Sequence, residues 1–344
     1  MTTVVITSYF EDEYVERIRD VDESLRVLYK EELVPPPRWP GDHVGPADWD
    51  RAPEEDEEFK ALLAEAEVLY DFPRKHIRDL TEVAPNLRWV QGSMAGAGEV
   101  AQKAGLQDTD VVVTTASGVF SGPLAEFAMM ALLQHAKDLD RLRREKEEKT
   151  WNQTSVGTLE GKTLCVVGIG NIGREVATRA RPFGMRVIGV KRTVREDDAA
   201  RDYADELYAN EDLREALGEA DYVVATLPGT PETHHLIDDG ALRSMKSGAY
   251  FVNIGRGSVV DEAALVEALK EERLSGAALD VFETEPLPEE SPLWELENVI
   301  ISPHSTDMVP ELINARQTEL FCENLRRYLA GEELVNVLDK KLLY

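Results

Sequence analysis

From residue 162 onward, short unbroken apolar runs alternate with stretches of helical periodicity, and few folds accept that pattern. The runs fall at 163–168, 186–190, 222–225, 249–253, 276–280 and 299–302; helices are expected between them at about 171–183, 211–219, 239–245 and 261–271. A strand that is apolar along its whole length must be covered on both faces. Such strands in regular alternation with helices require an α/β domain with a parallel sheet. The first third repeats the pattern less sharply. Strands are expected there at 3–7, 67–71, 87–91 and 110–115, with helices at about 54–65 and 98–104. Residues 34–53, rich in proline, read as an irregular excursion. Residues 123–149 read as one long helix, and 310–330 as a helix that returns to the first domain. The chain of 344 residues therefore divides into 1–120 with 306–344, and 121–305.

The run at 163–168 leads into Gly168-Ile169-Gly170-Asn171-Ile172-Gly173, a G-x-G-x-x-G placed between strand and helix, where it has physical meaning. Gly168 permits the turn, Gly170 lets backbone approach a pyrophosphate, and Gly173 allows close helix–strand packing. The helix N-terminus offers free N–H groups and partial positive charge to phosphates. Asn171 and Ile172 lie in its first turn. At the end of the next strand, where an NAD site carries an acid for the ribose hydroxyls, stand Lys191, Arg192 and Thr193. Two cations and a hydroxyl suit a 2′-phosphate, so NADP(H) is the expected cofactor, with NAD(H) as the alternative.

Composition limits the partners. Asp and Glu total 66 against 38 Lys and Arg, a net charge of -28, which repels nucleic acid and anionic membrane. The basic side chains are 25 Arg and 13 Lys. An acidic chain poor in lysine resembles proteins of salt-accumulating halophiles, and runs such as 54–58 read as solvated faces. Cys165 and Cys322 lie far apart and offer neither disulfide framework nor metal spacing, which favours a reducing cytoplasm. Cys165 is expected to be a small core residue. His234 and His235 are read as structural or solvent-facing, and His135 as an interface residue.

Three segments follow strands of the second domain: Asn253-Ile254-Gly255-Arg256-Gly257, Asp280-Val281-Phe282-Glu283-Thr284-Glu285-Pro286, and Ile301-Ser302-Pro303-His304. Open α/β sheets bind ligands at that edge. An arginine, a carboxylate and a histidine there suit reduction of a carbonyl. An imidazole donates a proton near neutrality. A carboxylate steadies the imidazolium, and a guanidinium holds a substrate carboxylate.

With these segments the chain resembles the D-isomer-specific 2-hydroxyacid dehydrogenases. VVGIGNIGREVATRARPFGMRVIGV, VNIGRGSVVDEAALVEAL, GAALDVFETEPLP and NVIISPH carry the likeness, strongly over about 120–308 and more weakly through LRWVQGSMAGAG. The resemblance implies two Rossmann-like or flavodoxin-like α/β domains with the substrate cleft between them, a homodimer, and a small 2-keto or 2-hydroxy acid as substrate. It places the catalytic roles on Arg256, Glu285 and His304. Glu285, the acid before proline, takes the role rather than Glu283. It implies that Ser93, Met94, Ala95 and Gly96 receive the substrate carboxylate. It sets Leu227, Pro228, Ile254, Gly255, Arg256, Asp280 and His304 along the cofactor. Two departures stand out: Gly98 where the family often has Asp, and Ser305-Thr306-Asp307-Met308 after the histidine. A nucleotide-sensing corepressor-like protein on the same fold, and a formate or phosphite dehydrogenase, share the pattern.

Overall fold

In the computed structural model, which describes residues 1–343, the chain forms two compact units: 1–120 with 308–343, and 121–307. The first is built on β1 (Thr2–Ile6), α1 (Asp12–Arg19), β2 (Leu25–Leu28), α2 (Pro53–Glu65), β3 (Val68–Tyr70), α3 (Leu80–Val83), β4 (Trp89–Gln91), α4 (Gly98–Lys103) and β5 (Val112–Thr114). Its five parallel strands lie in the order β2-β1-β3-β4-β5. The strands alternate sides as β geometry requires. Val4, Ile6, Val68 and Tyr70 face one cluster, while Val5, Leu69 and Val90 face another with Phe59 and Leu63 of α2.

The second unit begins with α5 (Ser121–Ala136) and α6 (Leu139–Glu148). Then follow β6 (Thr163–Val167), α7 (Asn171–Ala180), β7 (Arg186–Lys191), β8 (Glu206–Ala209), α8 (Leu213–Gly218), β9 (Tyr222–Ala225), α9 (Asp239–Ser244), β10 (Ala249–Asn253), α10 (Glu262–Lys270), β11 (Leu274–Leu279) and β12 (Val299–Ile301). The parallel sheet runs β12-β11-β10-β9-β6-β7-β8. The strand order reverses beside β6, so the carboxyl ends of β6 and β9 open the crevice where such sheets take ligands. β6, β9 and β10 are buried along their full length, which is why they read as unbroken apolar runs. Cys165 is wholly buried there, and burial pushes its thiol up to about 12.

The chain returns to the first unit with α11 (Pro310–Ala330). Phe321 of this helix sits 5.0 Å from Tyr70 and 5.4 Å from Trp89, ring centre to ring centre. Beyond it, Thr115 N donates to Asn336 O (3.0 Å) and Leu338 N to Val113 O (2.8 Å), which covers the free edge of β5.

Two expectations are corrected. The long helix over 123–149 is two helices, because Asp138 takes a left-handed conformation (φ 52°). α5 is buried on most of its surface and α6 has no buried residue, so the chain turns where its apolar content ends. Aspartate is among the few residues that accept that geometry. The acidic run at 54–58 is not wholly solvated either. Asp56 is buried, 3.2 Å from His76 Nε2 and 3.5 Å from Lys75 Nζ, where a hydrogen bond to the one and an ion pair with the other offset its desolvation.

Candidate active site

The turn after β6 has the shape of a dinucleotide cradle. Gly168 stands at φ 102°, closed to L side chains, and its N–H donates to Val190 O at 2.8 Å. A Cβ on Gly173 would lie 2.2 Å from Gly168 O, so α7 meets the turn more closely than any side chain allows. A Cβ on Gly170 would meet nothing within 4 Å. The fold therefore requires the first and third glycines for itself, while the second faces open space before a helix N-terminus. These residues fit a dinucleotide pyrophosphate. Leu227 is buried against the turn and Pro228 is exposed beside it.

At the end of β7 and just past it, the three residues expected to meet the ribose differ in kind. Lys191 Nζ is bound to Asp198 Oδ2 at 2.5 Å, and Asp198 also caps Ala200 N at 3.0 Å. Arg192 is exposed, 3.2 Å from Glu232 Oε2. Thr193 is exposed.

The triad residues all leave the carboxyl ends of strands of this sheet. Asn253, the last residue of β10, fixes the loop that carries Arg256: its Oδ1 accepts from Gly255 N and its Nδ2 donates to Arg256 O, both at 3.1 Å. Gly255 lets this loop lie on Leu227, whose carbonyl oxygen would be 2.6 Å from an added Cβ. Gly257 lies against Phe282, whose carbonyl would be 1.9 Å from one. Phe282 N in turn donates to Glu285 Oε1 at 3.0 Å, and Glu285 Oε2 is 2.8 Å from His304 Nδ1. An ionised carboxylate only accepts, so Nδ1 carries the hydrogen and Nε2 is left for chemistry. His304 itself is left-handed (φ 53°). The polar residues after it explain one departure: Ser305 N (3.1 Å), Thr306 N (3.3 Å) and Thr306 Oγ1 (2.7 Å) all donate to buried Asp280. That carboxylate anchors the histidine loop, a role its position after a strand did not reveal.

In the first unit, residues 93–96 follow β4. Ser93 Oγ donates to Asp71 Oδ2 at 2.8 Å and Gln317 Nε2 donates to Ser93 O at 2.7 Å. Ser93 N points at Asp71 at 3.4 Å, whereas the amides of Met94, Ala95 and Gly96 have no hydrogen-bond partner among the described residues. Gly98 is explained by its own surroundings, since a Cβ there would lie 2.1 Å from Leu343 O.

Residues 129–306 match the family model described as "D-isomer specific 2-hydroxyacid dehydrogenase, NAD binding domain". A glyoxylate reductase of Korarchaeum cryptofilum is 36% identical over 271 residues, 77% of this chain and 80% of that one. The chain belongs to the D-isomer specific 2-hydroxyacid dehydrogenase family. It is thus a nicotinamide-dependent oxidoreductase of the CH–OH group of 2-hydroxy acids. Among solved structures, a family member from Xanthobacter autotrophicus in complex with NADPH and MES aligns with TM-score 0.78 and 28% identity, over 100% of this chain and 99% of that one. An NADPH-dependent glyoxylate/hydroxypyruvate reductase from Sinorhizobium meliloti, with NADP and sulfate, aligns at 0.77 and 26%, over the whole of both chains.

Within this dehydrogenase three polar residues gain a place that the sequence reading did not give them. Asn253 sets the Arg256 loop, and Glu232 faces Arg192. Asp307 has its carboxyl pushed up by burial and by Asp280, against the opposing pull of His304 and Arg256. Each lies within or up to four residues from a recognisable motif, and only the fold shows which way it turns. His234 and His235 stack on each other at 4.1 Å, with His235 bound to Glu283 and His234 Nδ1 3.2 Å from Ser258 O. His135 stacks on Tyr250 at 4.4 Å, and burial pushes its imidazole down. No helix among the described residues is long and apolar enough to cross a membrane.

Proposed function

We propose that the enzyme is a 2-ketoacid reductase that prefers NADP(H), with His304 as its proton donor. The observation that carries this reading is the 2.8 Å contact of His304 Nδ1 with Glu285. It commits one ring nitrogen to a carboxylate and leaves Nε2 to deliver a proton to a carbonyl oxygen. Glu285 orients the ring and offsets the positive charge of the imidazolium. Arg256 polarises the carbonyl and pairs with the substrate carboxylate; its guanidinium geometry suits two parallel hydrogen bonds. On the first unit the amides of Met94, Ala95 and Gly96 are proposed as donors to a substrate carboxylate, and Ser93 braces their loop through Asp71. Bound nicotinamide supplies the hydride.

Gly168, Gly170, Asn171, Ile172 and Gly173 would hold the pyrophosphate. Leu227, Pro228, Ile254, Gly255 and Asp280 would flank the rest of the cofactor, and Arg192 with Thr193 would take the 2′-phosphate. Lys191 supports that site through Asp198 more than by direct contact. Residues 1–120 with 306–344 serve as the substrate-binding domain in this reading, and 121–305 as the dinucleotide-binding domain. The test is loss of reduced-nicotinamide absorbance with NADPH or NADH against glyoxylate, hydroxypyruvate, pyruvate and bulkier 2-keto acids. Turnover of none of them, or preference for NADH, would overturn the reading.

We also infer a homodimer and a salt-rich cytoplasm. A shallow groove over α5, α6 and α7 with the turn that follows it is lined in part by Met129, Met130, Leu133, Pro182 and Phe183, and Met130 and Phe183 are more than two-fifths exposed. Such an apolar face suits a second copy of the chain. The net charge of -28 supports the saline setting. Sedimentation in molar KCl tests both, with a monomer under all conditions refuting the first.

A further inference from the structure

The cationic pair at the end of β7 is already neutralised, and its two partners are not equivalent. Asp198 has a side chain only 6% exposed. It holds Lys191 at 2.5 Å and the Ala200 amide at 3.0 Å. The lysine hydrogen bond, then that amide, hold its carboxyl at about 2. Removing Lys191 from Asp198 would strand a buried carboxylate, so that cation stays where it is. Glu232 is different. Its side chain is 64% exposed, and it meets Arg192 at 3.2 Å from a separate loop that follows β9. That loop is held by its own hydroxyls. Thr233 Oγ1 donates to Pro228 O at 2.6 Å and accepts from Thr230 N at 2.9 Å, with both threonines buried. Glu232 sits between these anchored residues, so its backbone is held within reach of the guanidinium.

We propose that Glu232 is the counter-charge a 2′-phosphate must displace from Arg192, so that exchange of a carboxylate for a phosphomonoester at one guanidinium sets dinucleotide preference. This rests on the NADP(H) reading above. A phosphomonoester carries about -1.5 to -2 charges near neutrality against one for a carboxylate, and offers three oxygens. It therefore wins the guanidinium when present. With NADH nothing displaces Glu232, and the pair stays closed. Glu232 is in this sense a specificity residue: it lowers affinity for the phosphorylated dinucleotide without touching the reacting atoms.

Calorimetric binding of NADPH, NADH, 2′,5′-ADP and 5′-AMP to wild type, Glu232→Gln, Arg192→Ala and the double variant tests this without turnover. Exposed ion pairs of this kind correspond to about 1.4- to 5-fold in an equilibrium constant. Glu232→Gln should tighten NADPH and 2′,5′-ADP by that factor at low salt and leave NADH and 5′-AMP unchanged. The gain should vanish in the Arg192→Ala background and shrink in molar KCl. If wild type favours 2′,5′-ADP over 5′-AMP through Arg192 but Glu232→Gln leaves that affinity unchanged or weaker, the counter-charge proposal fails and the NADP(H) reading survives. If wild type binds 2′,5′-ADP no better than 5′-AMP, both fail.

Discussion

Gly170 and Gly173 stand three residues apart in one motif, and the structure assigns them opposite tests. Gly170 caps α7 with φ -80° and ψ -157°, an extended conformation open to alanine, and an added Cβ would meet no atom within 4 Å. In Gly170→Ala two small terms oppose each other. Reduced freedom of the unfolded chain stabilises by about 0.4–1 kcal/mol. Alanine is a poorer N-cap than glycine by a comparable amount, about 0.5–1 kcal/mol. The net change should lie within about 0.5 kcal/mol, or about 2 °C in Tm for a unit of this size. Dinucleotide binding should suffer, because the methyl group fills the space through which backbone approaches the pyrophosphate. Loss of one charge-assisted hydrogen bond, about 1.5–3 kcal/mol, is a 10- to 100-fold rise in Kd. In Gly173→Ala the Cβ would lie 2.2 Å from Gly168 O and 2.9 Å from Val166 Cγ1. Overpacking of that kind costs about 1–3 kcal/mol and outweighs the roughly 1 kcal/mol that alanine adds in a helix. Melting without dinucleotide, and calorimetric binding of NADPH, separate the two variants. A Gly170→Ala protein that melts well below wild type, or that binds NADPH normally, would refute the reasoning.

Four further outcomes are expected. His304→Asn should depress kcat by about 10²- to 10⁴-fold while NADPH still binds, and near-normal turnover would remove His304 as proton donor. Arg192→Ala should lower kcat/KM for NADPH by about 10- to 100-fold and leave NADH nearly unchanged; equal losses for both would count against the phosphate contact. Self-repulsion at a net charge of -28 should weaken the fold in dilute buffer, so Tm should climb between 0.1 and about 3 M KCl, and a flat profile would argue against the saline setting. Asp198 sits at about 2, below its ordinary 3.8, so its stabilisation is complete above about pH 4 and is lost as pH falls through 2. Urea midpoints should therefore fall less steeply across that window in Asp198→Asn than in wild type, and parallel slopes would show that the Lys191 pair contributes nothing.

The sheets were legible in the sequence wherever burial on both faces keeps polar residues out of a strand's interior. β6, β9 and β10 are of this kind, and their composition alone places them. β2 and β8 were not legible, because each is a run of four that carries an exposed charged residue, Arg26 in one and Glu206 in the other. α1 escaped because it is short: eight residues span little more than two turns, too brief a window for its three buried side chains to stand out. The break at Asp138 was invisible because helix propensity continues on both sides of it. At the site, the residues followed from motifs, but their directions did not. Nothing in the order of residues distinguishes Lys191, committed to Asp198, from Arg192, paired with Glu232. The hold of Thr306 on Asp280 is likewise a contact across 26 positions.

The first unit is assembled from both ends of the chain, and this orders the events of its synthesis. β1 to β5 leave the ribosome early, but Phe321 of α11, which fills the space beside Tyr70 and Trp89, is made only after the whole of 121–307. The same holds for Asn336 and Leu338, which close the edge of β5. The second unit is continuous and can complete its sheet as soon as β12 emerges. The nascent chain therefore carries a finished dinucleotide fold while its earlier sheet still waits with one apolar face and one edge uncovered. Such surfaces are prone to misassociation. A net charge of -28 opposes association of like chains while the last helix is being made.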